Sequence, residues 1–93
     1  MVVAELSIIP LEGIEMRPYI DAAVQAVRES GLKFEVEPLG TSLEGDFDEV
    51  METIKKAHRA ALASGADRVL TEIRIDEKKE ATLTLDKELS GYR

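Results

Sequence analysis

A chain of 93 residues without cysteine must build one small core with no disulfide, thiolate metal cluster or cysteine nucleophile to help it. Twelve Lys and Arg against nineteen Asp and Glu leave a net charge of −7, the wrong sign for neutralising phosphates, and two Phe, two Tyr and no Trp offer little for base stacking. Nucleic acid is therefore not an expected partner. The apolar start, Met1 to Pro10, carries Glu5, has no basic flank and reaches loop residues too soon to span a membrane. It reads as a buried strand of a cytoplasmic protein, and residues 1–93 as a single domain.

In "VVAELSII" Leu6 and Ile8 fall on one parity and Glu5 and Ser7 on the other, the pattern of a strand with one polar face. Ile20, Ala23, Val24 and Val27 then recur at helical spacing, with Pro18 suited to a first turn and Gly31 to the position after the last, predicting a helix over 17–30. "LKFEVEP" alternates again, Phe34 and Val36 against Lys33, Glu35 and Glu37. Pro38, Leu39 and Gly40 make a turn, and "TSLEG" returns as a short strand. Asp46 stands where a helix N-cap belongs, with Glu49 three residues on as the partner of a capping box. The helix that follows buries Phe47, Val50, Ile54, Ala57 and Ala61, offers Glu52 with Lys56 as an exposed pair, and stops at Gly65. "DRVLTEIRID" is a further strand. In the tail, Thr84 ahead of "LDKEL" favours a short terminal helix over a strand.

"ESGLKFEVE" and "ASGADRVLTE" each close a helix with Ser-Gly and launch a strand, so the chain reads β-α-β twice. Two such halves with right-handed crossovers form an α+β, ferredoxin-like sandwich: four antiparallel strands with two helices on one face. The parity assigns Val3, Glu5, Ser7, Ile9, Glu35, Ser42, Glu44, Leu70, Glu72 and Arg74 to the face away from the helices. That mixture is too apolar for a fully solvated sheet, and a second copy of the chain is the simplest cover.

Phosphate loops, dinucleotide fingerprints, zinc-protease helices and nucleophile elbows are all absent. "EGDFDE" has the composition of a calcium loop, but its glycine precedes the aspartates and a helix start accounts for it better. His58, the sole imidazole, lies at the edge of an apolar stripe with no serine or carboxylate spaced to orient it, which favours a structural role. Glu5, Glu44 and Glu72 could converge as an acid-base group, or stand as a charged sheet face with Arg74 as counterion. No catalytic residue, metal site or cofactor is expected.

The stretches "VVAELSIIPL", "SGLKFEVEPLGTSLEGDFDEV" and "KKAHRAALASGADRVLTEIRID" together resemble the small thiamine-binding, YkoF-like proteins, with Gly40-Thr41 and Glu44-Gly45-Asp46 the most distinctive pieces. The resemblance implies a ferredoxin-like fold, assembly as dimers or tetramers through the sheets, and non-enzymatic binding of thiamine or its hydroxymethylpyrimidine precursor. Carried over residue by residue, it points to Ser7, Thr41, Glu44, Gly45 and Asp46 as ligand-binding positions. Chemically, an aminopyrimidine presents an exocyclic donor and ring acceptors that a carboxylate and a hydroxyl can pair, and a thiazolium cation favours acidic walls. The alternative is an oligomeric interaction protein with no small-molecule ligand.

Overall fold

In the computed structural model, which describes residues 1–11 and 15–79, the chain runs β1 (Val2–Pro10), α1 (Arg17–Glu29), β2 (Lys33–Glu37), β3 (Gly40–Gly45), α2 (Phe47–Ala63) and β4 (Val69–Asp76). The strands form one antiparallel sheet in the order β2-β3-β1-β4. Each β-α-β crossover therefore steps over one position, which a strand of the other half fills. This is the ferredoxin-like arrangement that the doubled β-α-β pattern predicts. The terminal helix expected after Thr84 lies outside the described residues.

Alternation decides which face of the sheet meets the helices. Val2, Ala4 and Leu6 of β1 and Leu43 of β3 are at most 3% exposed and pack against Ala23 and Val27 of α1 and Val50, Ile54 and Ala57 of α2. Each fully buried aliphatic side chain contributes about 1.5–3 kcal/mol, so a strand slipped by one residue would forfeit several of these and drive Glu5 or Glu44 into the core. A satellite cluster of Tyr19, Ala61 and Ala66 joins the start of α1 to the end of α2, with Ile8 and Val69 packed against it. Tyr19 is an addition to the expected stripe.

Both helices end as their sequences predict. Gly31 and Gly65 take φ values of 75° and 116° just past the last turns, while Ser30 and Ser64 donate their hydroxyls to the carbonyls of Val27 and Ala61. The start of α2 differs from expectation. Asp46 occupies the N-cap in extended conformation and its carbonyl accepts the first helical bond from Val50 N–H at 2.9 Å, yet its side chain makes no capping hydrogen bond. The anticipated capping box is not formed, and Asp46, Asp48 and Glu49 instead place negative charge at the positive end of the helix dipole. Glu52 pairs with Lys55 at 3.6 Å rather than with Lys56, because a neighbour three residues on is equally within reach on a helix surface. Phe47, expected inside, is 45% exposed at the helix start.

Candidate functional site

Unequal strand lengths open a gap in the sheet. Pairing of β1 with β3 ends at Leu6 opposite Thr41, whereas pairing with β4 continues through Ile8 opposite Thr71, Ile9 opposite Leu70 and Pro10 opposite Val69. Among the described residues, one flank of β1 is thus left without a neighbouring strand beyond the β2–β3 hairpin. The N–H of Leu11 donates to the carbonyl of Arg68 at 2.9 Å, which sets the phase of the ladder. Odd-numbered residues of β1 bond toward β4, and even-numbered ones turn their peptide groups toward β3. By that alternation, the N–H and carbonyl of Ile8 face the gap.

Helix α1 leans over this gap and closes it into a cleft of about 400 Å³, within the range usual for small-molecule sites. Its walls are mainly apolar: Leu6 and Ile8 from β1, Ile20 and Val24 from α1, and Leu39 from the hairpin tip. Ser7 and Thr41 bring hydroxyls to it, and Glu37 and Glu72 are the charged residues of its lining among the described residues. Side chains of both parities of β1 reach the cleft, since it cuts past the end of the shorter strands and does not lie on one face of the sheet.

The hairpin tip that forms one wall of the cleft is held in place from two sides. Ser7 Oγ donates to the carbonyl of Leu39 at 2.8 Å, and Ser42 Oγ donates to Glu37 Oε1. Gly40 is required by a close approach: a Cβ there would lie 2.8 Å from the carbonyl oxygen of Leu6 and 3.0 Å from Ser7 Oγ. Leu39 itself is 86% exposed at the mouth, a large apolar side chain with room to close on a ligand.

Of the residues singled out in the sequence, Ser7 and Thr41 line the cleft, and Glu44, Gly45 and Asp46 do not. Glu44 sits opposite Val3 and Lys33 on the open face of the sheet, four residues along β3 from Gly40, or roughly 13 Å at strand rise. Gly45 is buried at that far end, where a Cβ would press within 3.1 Å of Leu32 Cδ2, so close packing accounts for it. Asp46 is exposed at the start of α2. Glu5 stands opposite Ser42 and Arg74, and Glu72 opposite Ser7. The three glutamates are thereby spread along the sheet, and among the described residues no three acidic or imidazole side chains assemble as a metal-ligand group. His58 Nδ1 lies 2.5 Å from Thr71 Oγ1, bracing α2 against β4. Sequence reasoning did not single out Glu37 or Leu39, and it took up Glu72 only as a member of an acid-base group with Glu5 and Glu44. Ile20 and Val24, which the sequence placed at helical spacing in the first helix, are half-buried and line the cleft. The spacing of the stripe reveals an apolar face but not whether protein or empty space lies opposite.

These features define a class: ferredoxin-like α+β domains with a ligand-sized, acid-rimmed apolar cleft at the end of the sheet. The chain belongs to the thiamine-binding protein family, whose model matches residues 4–93. It is 42% identical over 84 residues to a UPF0045 protein of Methanothermobacter thermautotrophicus, covering 87% of this chain and 85% of that one. Among solved structures it is similar to a Methanocaldococcus jannaschii hypothetical protein, with 40% identity, TM-score 0.87, and coverage of 97% of this chain and 93% of that one. A Thermotoga maritima protein named provisionally for thiamine biosynthesis or salvage superposes with TM-score 0.85 at 30% identity, covering 99% of this chain and 98% of the other.

Proposed function

We propose that this protein binds thiamine or its hydroxymethylpyrimidine moiety in the α1–hairpin cleft, without catalysing a reaction on it, as a self-associating cytoplasmic protein. The observation that carries the reading is an apolar slot whose lining includes a small set of polar groups. The Thr41 hydroxyl and the Ile8 peptide group offer both donors and acceptors, which is what an aminopyrimidine edge needs. Ser7 retains lone pairs after donating to Leu39. The ring faces would lie between Ile20, Val24 and Leu39, and the cationic thiazolium would rest toward Glu37 and Glu72. Family membership and the likeness to the Thermotoga protein favour this ligand class over other amine-bearing heterocycles.

Self-association is supported by the open face of the sheet, where Val3 and Ile9 are only half-buried and Leu70 is 47% exposed. Titration calorimetry with thiamine and with hydroxymethylpyrimidine tests the binding reading. Val24→Phe, which adds bulk on the cleft side of α1, should weaken binding at least tenfold while leaving the melting temperature within a few degrees. Unaltered affinity in that variant would place the ligand elsewhere.

A further inference from the structure

The rim of the cleft carries charge of one sign. Glu37 and Glu72 come to it from the two edge strands, β2 and β4, on either side of Ser7, and no Lys, Arg or His is found in the lining among the described residues. Glu72 is the direct cross-strand neighbour of Ser7, and Glu37 that of Gly40, whose backbone abuts Ser7. The two glutamates therefore stand on either side of Ser7, with Glu37 Oε1 also accepting from Ser42 Oγ.

The start of α1 is a feature nearby that could oppose this, since helix N-termini attract anions through their unpaired N–H groups. Here that capacity is largely used up. The N–H groups of Tyr19 and Ile20 both donate to the carbonyl of Met16, at 3.2 and 3.1 Å, and Pro18 has no N–H to give. Arg17, at the start of α1, is turned out to solvent beside Asp21, with its Nε 3.9 Å from the carboxylate, and Arg74, two residues along β4 from Glu72, stands opposite Glu5 and outside the lining of the cleft.

We infer that the cleft discriminates by charge: it accepts the cationic, unphosphorylated form of its ligand and rejects the phosphate esters, with Glu37 and Glu72 as the specificity-determining residues. The inference rests on the binding reading above and adds the ligand's charge state to it. Rejection is built from repulsion as well as from missing attraction, because an ester phosphate would bring two negative charges to a rim whose lining, among the described residues, holds two carboxylates and no Lys, Arg or His. At separations of about 6 Å and an effective dielectric of about 40, each such like-charge encounter weakens binding about tenfold.

Calorimetric titration of the full chain with thiamine, thiamine monophosphate, thiamine diphosphate and neutral hydroxymethylpyrimidine tests this, repeated on Glu72→Gln and on Glu37→Gln. Expected is binding of thiamine with the monophosphate at least tenfold weaker and the diphosphate weaker again. In Glu72→Gln the affinity for thiamine should fall threefold to tenfold, that for the neutral pyrimidine alcohol should change less than twofold, and the gap between thiamine and its monophosphate should narrow. Glu37→Gln should follow the same pattern, and its melting curve separates the loss of charge from any loosening of the hairpin. Esters bound as tightly as thiamine, or a gap unmoved in both variants, would overturn the charge selection while leaving the binding reading intact. If none of the four compounds binds at millimolar concentration, the binding reading falls and the selectivity falls with it.

Discussion

Ser7 Oγ donates to the carbonyl of Leu39 at 2.8 Å, tying the middle of β1 to the tip of a hairpin 32 residues away. The bond holds one wall of the cleft at a point where the pairing of β1 with β3 has already ended. An exposed hydrogen bond of this kind has a net worth toward the low end of about 0.5–1.5 kcal/mol. Ser7→Ala is accordingly expected to lower stability by about 0.5–1 kcal/mol in urea denaturation and to speed hydrogen exchange at the amides of residues 39–41. Unchanged exchange there would show that the hairpin tip is held without the hydroxyl.

Thr41 and Glu44 lie on the same strand but on opposite faces of the sheet, and only Thr41 reaches the cleft. Thr41→Val keeps the shape and removes one hydroxyl, so affinity for the pyrimidine should drop by roughly 1 kcal/mol, or about fivefold. Glu44→Gln should leave affinity within about twofold. Calorimetry on the two variants decides between the cleft and the open face: the reverse ranking would move the ligand to the sheet side that Glu44 occupies.

Leu70 and Ile9 are cross-strand partners on the face away from the helices. Neighbouring apolar side chains there would be covered by a second copy of the chain. Light scattering at micromolar concentration should therefore give a mass above that of the monomer, and Leu70→Glu should lower it with little effect on the melting temperature, since the side chain is 47% exposed in the single chain. A monomeric wild-type protein would rule out this cover.

Asp46 caps α2 with its backbone and not with its side chain. What its carboxylate contributes is an interaction with the helix dipole, about 0.3–1 kcal/mol at low ionic strength and screened by salt. Asp46→Ala should thus destabilise the protein modestly in dilute buffer, and the difference from wild type should shrink as sodium chloride is raised toward 1 M. A difference that persists at high salt would mean that a true capping hydrogen bond forms in solution.

The fold was legible because its determinants are local. A period of two in "VVAELSII" separates Val2, Ala4 and Leu6 from Glu5 and Ser7, and that parity alone selects the face that meets the helices. Ser-Gly pairs at both helix ends can only be left by a residue tolerant of positive φ, so Gly31 and Gly65 mark the boundaries without reference to anything distant. The candidate site was legible in part: Ser7 and Thr41 line the cleft, while Gly45 and Asp46 drew notice for reasons that packing and the helix start explain.

By itself, then, the sequence determined strand parity, helix limits, the doubled β-α-β order and the acidity of the whole chain, all of which follow from residue type and spacing over a few positions. Tertiary structure alone decided where empty space lies. The cleft exists because β1 outruns its partner β3 and because α1 leans across the difference, a relation among Ile8, Val24 and Leu39 that no local period encodes. The same geometry brings Glu37 and Glu72 from the two edge strands to one rim, although 35 positions separate them in sequence. Their charges meet only because the sheet order sets the two halves of the chain side by side around Ser7.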